Sequence, residues 1–409
     1  MNAIYTPSPI AAYKGNPLIE ALPPIQDPTE TAKQLRITVP YDKGERNLPG
    51  YQREHCLVSA LQFFEPLPHH LDLAARMDKT IRFGYVGRTP LDRDYWQSIP
   101  ATADTVSENM KLIDRTPVRN INTGFGLVGV SGMGKSTSVE RVLGTYPQII
   151  QHTEYKKQQA NMIQIPWLKL DCPFDGSVRG LCFKFFAALD DLLGSNYLRK
   201  FERGRSTVDQ LMPQMARIGK IHGMGLLVID EIQHLADYKQ SHGIGPNRML
   251  NFFVELINTA GMPIMMIGTP KAISVLTKEF RSARRSAGQG DLVWNRMEPG
   301  PHWEFFLEAL WGYQYTKKIT PLNRELSAAL YEESQGITDF AVKLYLLAQC
   351  RAIRTKKEEV TEAIIRSVAK DSLNMAAPFL KALKTKDFSA LPNFDDIRPI
   401  DFEKAMSAA

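Results

Sequence analysis

Between residues 120 and 300 the chain alternates short apolar runs with amphipathic stretches of helical period. The apolar runs cover residues 124–130, 166–170, 226–229 and 263–268. Each is four to seven residues long and bounded by glycine, proline or charge, as buried strands are. Pro166 leads the second run, which fits an edge strand or a strand start. A helix follows the first run to about residue 146. A second stripe has Val178, Leu181, Cys182, Phe185, Phe186, Leu189 and Leu192/Leu193 on one face, with Ser177 to open the helix and Gly194 to close it. A polar helix is predicted over about 207–222, and another carries Leu250, Phe253, Val254 and Ile257 before Gly261. Strands alternating with helices predict an α/β domain whose parallel sheet is covered on both faces. Residues 321–384 show helical periods only. Leu322, Leu326, Ala329 and Leu330 form one stripe, Val342 and Leu346 lie on a second helix, and Val360, Ile364, Ile365 and Val368 on a third. An all-α part therefore follows the α/β part.

The first fifty residues break this pattern. They hold Pro7, Pro9, Pro17, Pro23, Pro24, Pro28, Pro40 and Pro49. Proline fixes φ and removes a donor, so this stretch predicts an extended arm without helices, either disordered or laid along another subunit or partner. Leu57, Leu61, Phe64 and Leu67 give residues 51–118 the look of a small, partly helical module. The predicted organisation is an arm (1–50), a module (51–118), an α/β core (119–300), a helical lid (301–385) and a tail (386–409). Arm and module are expected to face protein partners.

Composition changes this picture little. The chain has 409 residues, 44% of them hydrophobic, and 50 basic against 44 acidic side chains, a net charge of +6. That excludes a mostly disordered, collagenous or disulfide-scaffold protein and permits an acidic partner such as DNA. Cys56, Cys172, Cys182 and Cys350 form no CxxC pair and no zinc spacing, so they read as reduced, mostly buried thiols. The first residues lack a basic and an apolar signal region, and no apolar run approaches membrane length, so a soluble cytoplasmic protein is expected.

The chemistry is concentrated at the strand ends. Gly129-Val130-Ser131-Gly132-Met133-Gly134-Lys135-Ser136, followed by Thr137, matches G-x-x-x-x-G-K-[ST] between a predicted strand and a predicted helix. Glycines let backbone N–H groups wrap phosphates, Lys135 can reach the β- and γ-phosphates, and Ser136 can ligate Mg²⁺. The run at 226–229 ends in Asp230-Glu231, a Walker B pattern. Asp230 would hold Mg²⁺, and Glu231 would orient or deprotonate a water. A base aimed at water favours hydrolysis over transfer to a small-molecule hydroxyl. Thr269 ends the fourth run, where it can report the γ-phosphate, cap a following helix, or both. Arg281, Arg284 and Arg285 cluster further on. Arg284 and Arg285 are candidates for an arginine supplied to a neighbouring subunit's site, and a solvated face is the alternative. Arg199, Lys200, Arg203 and Arg205 are candidates for phosphate contacts with duplex DNA, again against a solvated loop.

These motifs together resemble an AAA+ ATPase, a P-loop NTPase core with an all-α lid, and in particular the TnsC/TniB family of transposition regulators. The resemblance covers roughly residues 10–385. It is carried by Tyr13-Lys-Gly-Asn-Pro-Leu-Ile-Glu-Ala-Leu-Pro-Pro24, Gly84-Tyr-Val-Gly-Arg88, Gly194-Ser-Asn-Tyr197, the Asp-Glu-Ile-Gln-His segment at 230–234, residues 249–254, Ile267-Gly-Thr-Pro-Lys271, the Arg-Ser-Ala-Arg-Arg segment at 281–285, and residues 342–349. It implies binding of ATP with Mg²⁺ and of double-stranded DNA, and assembly into a ring or helical filament on that DNA. It also implies contacts with a TnsB-type transposase and a TnsD/TniQ-type target selector, in some systems with an RNA-guided complex, and disassembly on hydrolysis. A helicase-loader-type or signalling ATPase shares the same motifs. One departure stands out: where many AAA+ proteins have Gly-x-x-Arg in the lid, this chain has Gly336-Ile-Thr-Asp339. Lys343, one turn later, either replaces that arginine or is a surface lysine.

Overall fold

The computed structural model describes residues 1–97, 99, 124–203, 206–237, 249, 252, 253, 256, 257, 261–273, 290–385 and 387, with the side chains of Arg203, Ala236 and Asp237 left out. Five parallel strands form the central sheet: β1 (Phe125–Gly129), β4 (Trp167–Asp171), β5 (Leu226–Asp230), β6 (Ile264–Gly268) and β7 (Leu292–Trp294), in the order β4-β5-β6-β1-β7. The four predicted strands are all present. The strand led by Pro166 lies at the edge, where a missing N–H costs no ladder bond. The three-residue β7 was not anticipated.

Residues alternate between the two faces of the sheet, and both faces are dry. Leu227, Ile229, Ile264 and Met266 join the core beneath helices Val178–Leu193 and Val208–Ile221. Leu226, Val228, Met265 and Ile267 join the core on the other face, with the P-loop helix Lys135–Leu143 and helix Pro68–Tyr85. Ser177 caps its helix as predicted, its hydroxyl accepting from Gly180 N–H at 3.1 Å, and Gly194 closes it in left-handed geometry. The helix predicted as polar is amphipathic, with Leu211, Met215 and Ile218 buried.

The N-terminal fifty residues correct the expectation of a helix-free arm. Helices Pro17–Glu20 and Pro28–Leu35 form there, each with its proline in the first turn, where the lost N–H has no intrahelical partner. Asn16 and Asp27 cap them through side-chain oxygens. Leu18, Ile19, Leu22 and Leu35 are buried in the sheet core beside Leu73, Met77 and Ile81. The proline density thus marks helix starts within the domain.

A second correction concerns residues 51–118, whose described part is no separate module. Helix Gly50–Ser59 packs on the lid, where Leu57 and Ala60 join its core, whereas helix Pro68–Tyr85 packs on the sheet. An antiparallel hairpin unforeseen in the sequence, β2 (Ile150–Tyr155) with β3 (Gln158–Gln164), turns at Lys156 and Lys157, both in left-handed geometry. The lid comprises helices Pro301–Trp311, Arg324–Ser334, Thr338–Arg354, Glu362–Ser372 and Ala377–Thr385. Among the described residues, no helix is long and apolar enough to cross a membrane.

Candidate nucleotide-binding site

The ends of β1, β5 and β6 converge on a cavity of about 480 Å³. The turn after β1 climbs from the sheet to the P-loop helix through Gly132 (φ +82°) and Gly134 (φ +74°), backbone conformations that side chains resist. A Cβ on Gly132 would come within 2.8 Å of Ile337 Cγ2, so the loop also lies directly under the lid. Ser131, Gly132, Met133, Gly134, Lys135, Ser136 and Thr137 line the cavity. Gly129 and Val130 do not. They sit behind it, where their carbonyl oxygens accept from Lys135 Nζ at 2.8 and 3.0 Å. Gly129 lies so close under β7 that an added Cβ would meet Trp294 O at 2.4 Å. The glycine cradle, the helix N-terminus and an ammonium beside it fit a polyphosphate.

On the facing wall Asp230 is buried, and both of its oxygens are engaged. Oδ1 accepts from Glu231 N–H at 2.8 Å, and Oδ2 pairs with Lys169 Nζ at 3.0 Å. Burial lowers the Lys169 ammonium pKa, but its bonds to Glu140 and Asp230 outweigh that and leave it raised. Glu231 is exposed at the cavity and holds left-handed backbone, φ +57°. That conformation is costly for a residue with a Cβ and is found where a site demands it. It turns the chain after β5 while Ile232 N–H still reaches Ile267 O at 3.0 Å, so Glu231 projects beside the end of the β5–β6 ladder. Thr269 lines the same wall. It caps the short helix Pro270–Ala272 through its carbonyl, with no side-chain cap bond. Gln233 is also in the wall, donating to Glu231 Oε2 and accepting from Thr269 N–H. Lys135, Ser136, Asp230, Glu231 and Thr269, widely separated in sequence, thus share one cavity.

The remaining wall was not legible in the motifs. Leu61, Phe63, Phe64, Glu65, Leu67 and His70 come from the N-terminal part, and Phe306, Thr338, Asp339 and Val342 from the lid. Leu61, Phe63, Phe64, Leu67, Phe306 and Val342 give this part of the lining an apolar share that suits a flat aromatic group. Burial lowers the His69 pKa to about 4, with His302 adding to it, and lowers His70 to about 2, with His69 adding, so both imidazoles are neutral near pH 7. The lid touches the P-loop through Asp339 N–H and the Thr338 hydroxyl, both donating to Gly132 O at 3.1 and 3.2 Å. Lys343 is exposed and pairs with Asp339, a residue of the cavity lining, at 2.6 Å.

The other candidates fall elsewhere. Arg199 and Lys200 are exposed on helix Tyr197–Arg203, away from the cavity. Asp190 fixes this helix by accepting from Tyr197 and Leu198 N–H at 2.7 and 2.8 Å. The Arg203 side chain and Arg205, Arg281, Arg284 and Arg285 lie outside the described residues.

If Mg²⁺ and ATP occupy the cavity, Ser136 and Asp230 are the residues to hold the metal, whose charge would offset that on the phosphates. The chain's own contribution is then a phosphate cradle, a lysine and an outward carboxylate beside it.

Residues 123–276 match the family described as AAA domain. No curated protein sequence matches the chain. Among solved structures it is similar to the Aeropyrum pernix ORC1 protein in complex with DNA, at 14% identity over 69% of this chain and 70% of that one, TM-score 0.42. It is also similar to a Walker-type ATPase of Pyrococcus abyssi, at 13% identity over 70% and 76%, TM-score 0.41. The Aeropyrum pernix ORC2 protein in its ADPNP–ADP complexes follows at 9% identity over 74% and 83%, TM-score 0.39. The matched residues hold the P-loop and four of the five strands of the parallel sheet, so the fold is that of an AAA-type P-loop domain followed by a helical lid.

Proposed function

We propose that the protein is an ATP-hydrolysing, duplex-DNA-binding regulator of transposition of the TnsC/TniB kind. The observation that carries the hydrolytic part is the meeting of Lys135, Ser136, Asp230, Glu231 and Thr269 in one cavity. Glu231 is the base toward water, and Thr269 stands where a γ-phosphate would be sensed. The DNA part rests on the exposed Arg199 and Lys200 and on the sequence resemblance. The same resemblance supports assembly as a homo-oligomeric ring or filament on the DNA, with Arg284 or Arg285 reaching a neighbour's nucleotide. It supports contacts with a TnsB-type transposase and a TnsD/TniQ-type selector, and a place in the cytoplasm. DNA is held through its backbone, so affinity falls steeply with salt.

The test is fluorescence anisotropy on a labelled duplex with Mg²⁺ and either ATP or no nucleotide, for the wild type and Lys135→Ala. Tight, salt-sensitive binding only with ATP, lost in Lys135→Ala, supports the reading. Equal affinity with and without ATP refutes the ATP-dependent switch. Co-purification with a replicative helicase in place of a transposase would favour the helicase-loader reading.

A further inference from the structure

Gln233 lies two residues after the proposed base and belongs to no part of the P-loop or Walker patterns. Its side chain is buried, yet both ends of its carboxamide are used. The Nε2 amide donates to Glu231 Oε2. The Oε1 oxygen accepts from Thr269 N–H at 3.2 Å, across from β5 to the end of β6. The backbone around it is constrained as well. Glu231 is left-handed, and Ile232 N–H is tied to Ile267 O. Gly268 is the other side of this fit, since a Cβ there would come within 2.6 Å of Ile232 Cγ2 and 3.2 Å of Gln233 Oε1. Leaving a buried carboxamide half-satisfied is costly, so a residue bonded at both ends has one defined pose.

We propose that Gln233 is a positioning residue: it holds the Glu231 carboxylate at the cavity mouth and ties that position to Thr269 at the end of the neighbouring strand. This rests on the reading of Glu231 as the base. It gives the chain a direct mechanical link between the strand end that would sense a γ-phosphate and the carboxylate that would act on water. A side chain of the same length without the amide would leave nucleotide contacts intact and let the carboxylate swing.

The test uses the full chain with Mg²⁺-ATP, with or without duplex DNA, in whichever condition the wild type turns over faster. Gln233→Met keeps length and volume but neither bond. Gln233→Glu keeps an acceptor for Thr269 N–H and, when ionised, cannot donate to Glu231. Both are expected to lose kcat by about tenfold or more, with KM and nucleotide affinity within about twofold, because the P-loop is untouched: Gln233→Glu loses the hold on the base alone, and Gln233→Met also loses the tie to Thr269 N–H. In the double variant with Glu231→Gln, Gln233→Met should add little further loss, as for two residues acting through one group. A kcat within about twofold of wild type in Gln233→Met, a rise in kcat, or full activity in Gln233→Glu would overturn the proposal. So would a loss that appears equally in KM, nucleotide affinity and thermal stability, which marks a structural role. Glu231→Gln alone separates the two levels. If it turns over normally, the base reading itself fails; if it is inactive while Gln233→Met is normal, only the positioning role falls.

Discussion

At the scale of single residues, the site depends on backbone conformations as much as on side chains. Gly132 and Gly134 take positive φ to wrap the loop, and Glu231 takes it at the cost a side chain imposes. If Glu231 is the base, Glu231→Gln should lower hydrolysis by roughly a hundredfold or more while ATP affinity and ATP-dependent DNA binding persist. Phosphate release together with nucleotide-binding titration checks this, and undiminished turnover would remove Glu231 from the role. The paired histidines give a pH signature. His69 at about 4 and His70 at about 2 lie below the ordinary histidine value near 6.5 through burial first and neighbouring imidazoles second. By about pH 7.5, a unit above the unfolded value, they are essentially neutral in both folded and unfolded chains and contribute little slope. Below it the unfolded chain takes up protons that the folded chain refuses, so stability falls with pH, by at most about 1.4 kcal/mol per pH unit per histidine. Urea unfolding between pH 7.5 and 5 should show this loss, and a His69→Gln/His70→Gln variant should show a shallower one. An identical slope in the variant would mean that other groups carry it.

At the scale of elements, the lid is tied to the N-terminal helix Gly50–Ser59 by a shared core and by buried charge. Arg53 is buried and bidentate to Glu358, at 2.7 Å for each bond, and also donates to Tyr315 O and Leu48 O. The guanidinium holds the Glu358 carboxyl below the usual carboxylate range. Removing one partner of such a pair strands the other, so Arg53→Met should cost about 3 kcal/mol in urea unfolding. A change below about 0.5 kcal/mol would show that the pair contributes little to holding the lid on this helix. Strand and helix periods made the sheet and lid legible in sequence, because burial on one or both faces leaves a regular apolar trace. The P-loop and the Asp230-Glu231 pair were legible because their chemistry fixes spacing. The β2–β3 hairpin left no such trace: its turn is Lys156-Lys157 in place of a glycine pair, and its strands are largely polar. The Leu61–His70 wall was hidden for a different reason. Its role comes from where the chain crosses between lid and sheet, which no local pattern encodes. Gln233 could be read as part of a recognisable segment but not as a bridge, because its partner Thr269 is brought near only by the β5–β6 pairing.

At the scale of the whole molecule, the cavity is closed by three parts of the chain that do not meet in sequence: strand ends, N-terminal crossover and lid. Residues 41–54 are bonded to the lid, through Tyr41 OH to Gln314 O, Arg46 to Gln314 O, and the Arg354–Glu54 pair beside that of Arg53. Residues 13–35 pack instead on the sheet side. The first fifty residues therefore cannot be removed as an appendage. Leu18, Ile19, Leu22 and Leu35 are at most 2% exposed. At roughly 1.5–3 kcal/mol for each buried side chain, their loss amounts to about 6–12 kcal/mol, comparable to the whole stability of a typical domain. Deleting residues 1–35 should accordingly give an insoluble or partly unfolded protein that binds an apolar dye, because Leu73, Met77 and Ile81 lose their cover. Size-exclusion chromatography and near-ultraviolet circular dichroism on the truncated chain check this. A monodisperse truncated protein with native dichroism and unchanged nucleotide affinity would show that the segment is dispensable for folding, and only then would a binding loss in that truncation report on an interface. Replacing exposed residues of the segment, such as Ile4, Ile10 and Ile25, one at a time tests an interface without that confusion, since each is more than 40% exposed and none belongs to the core.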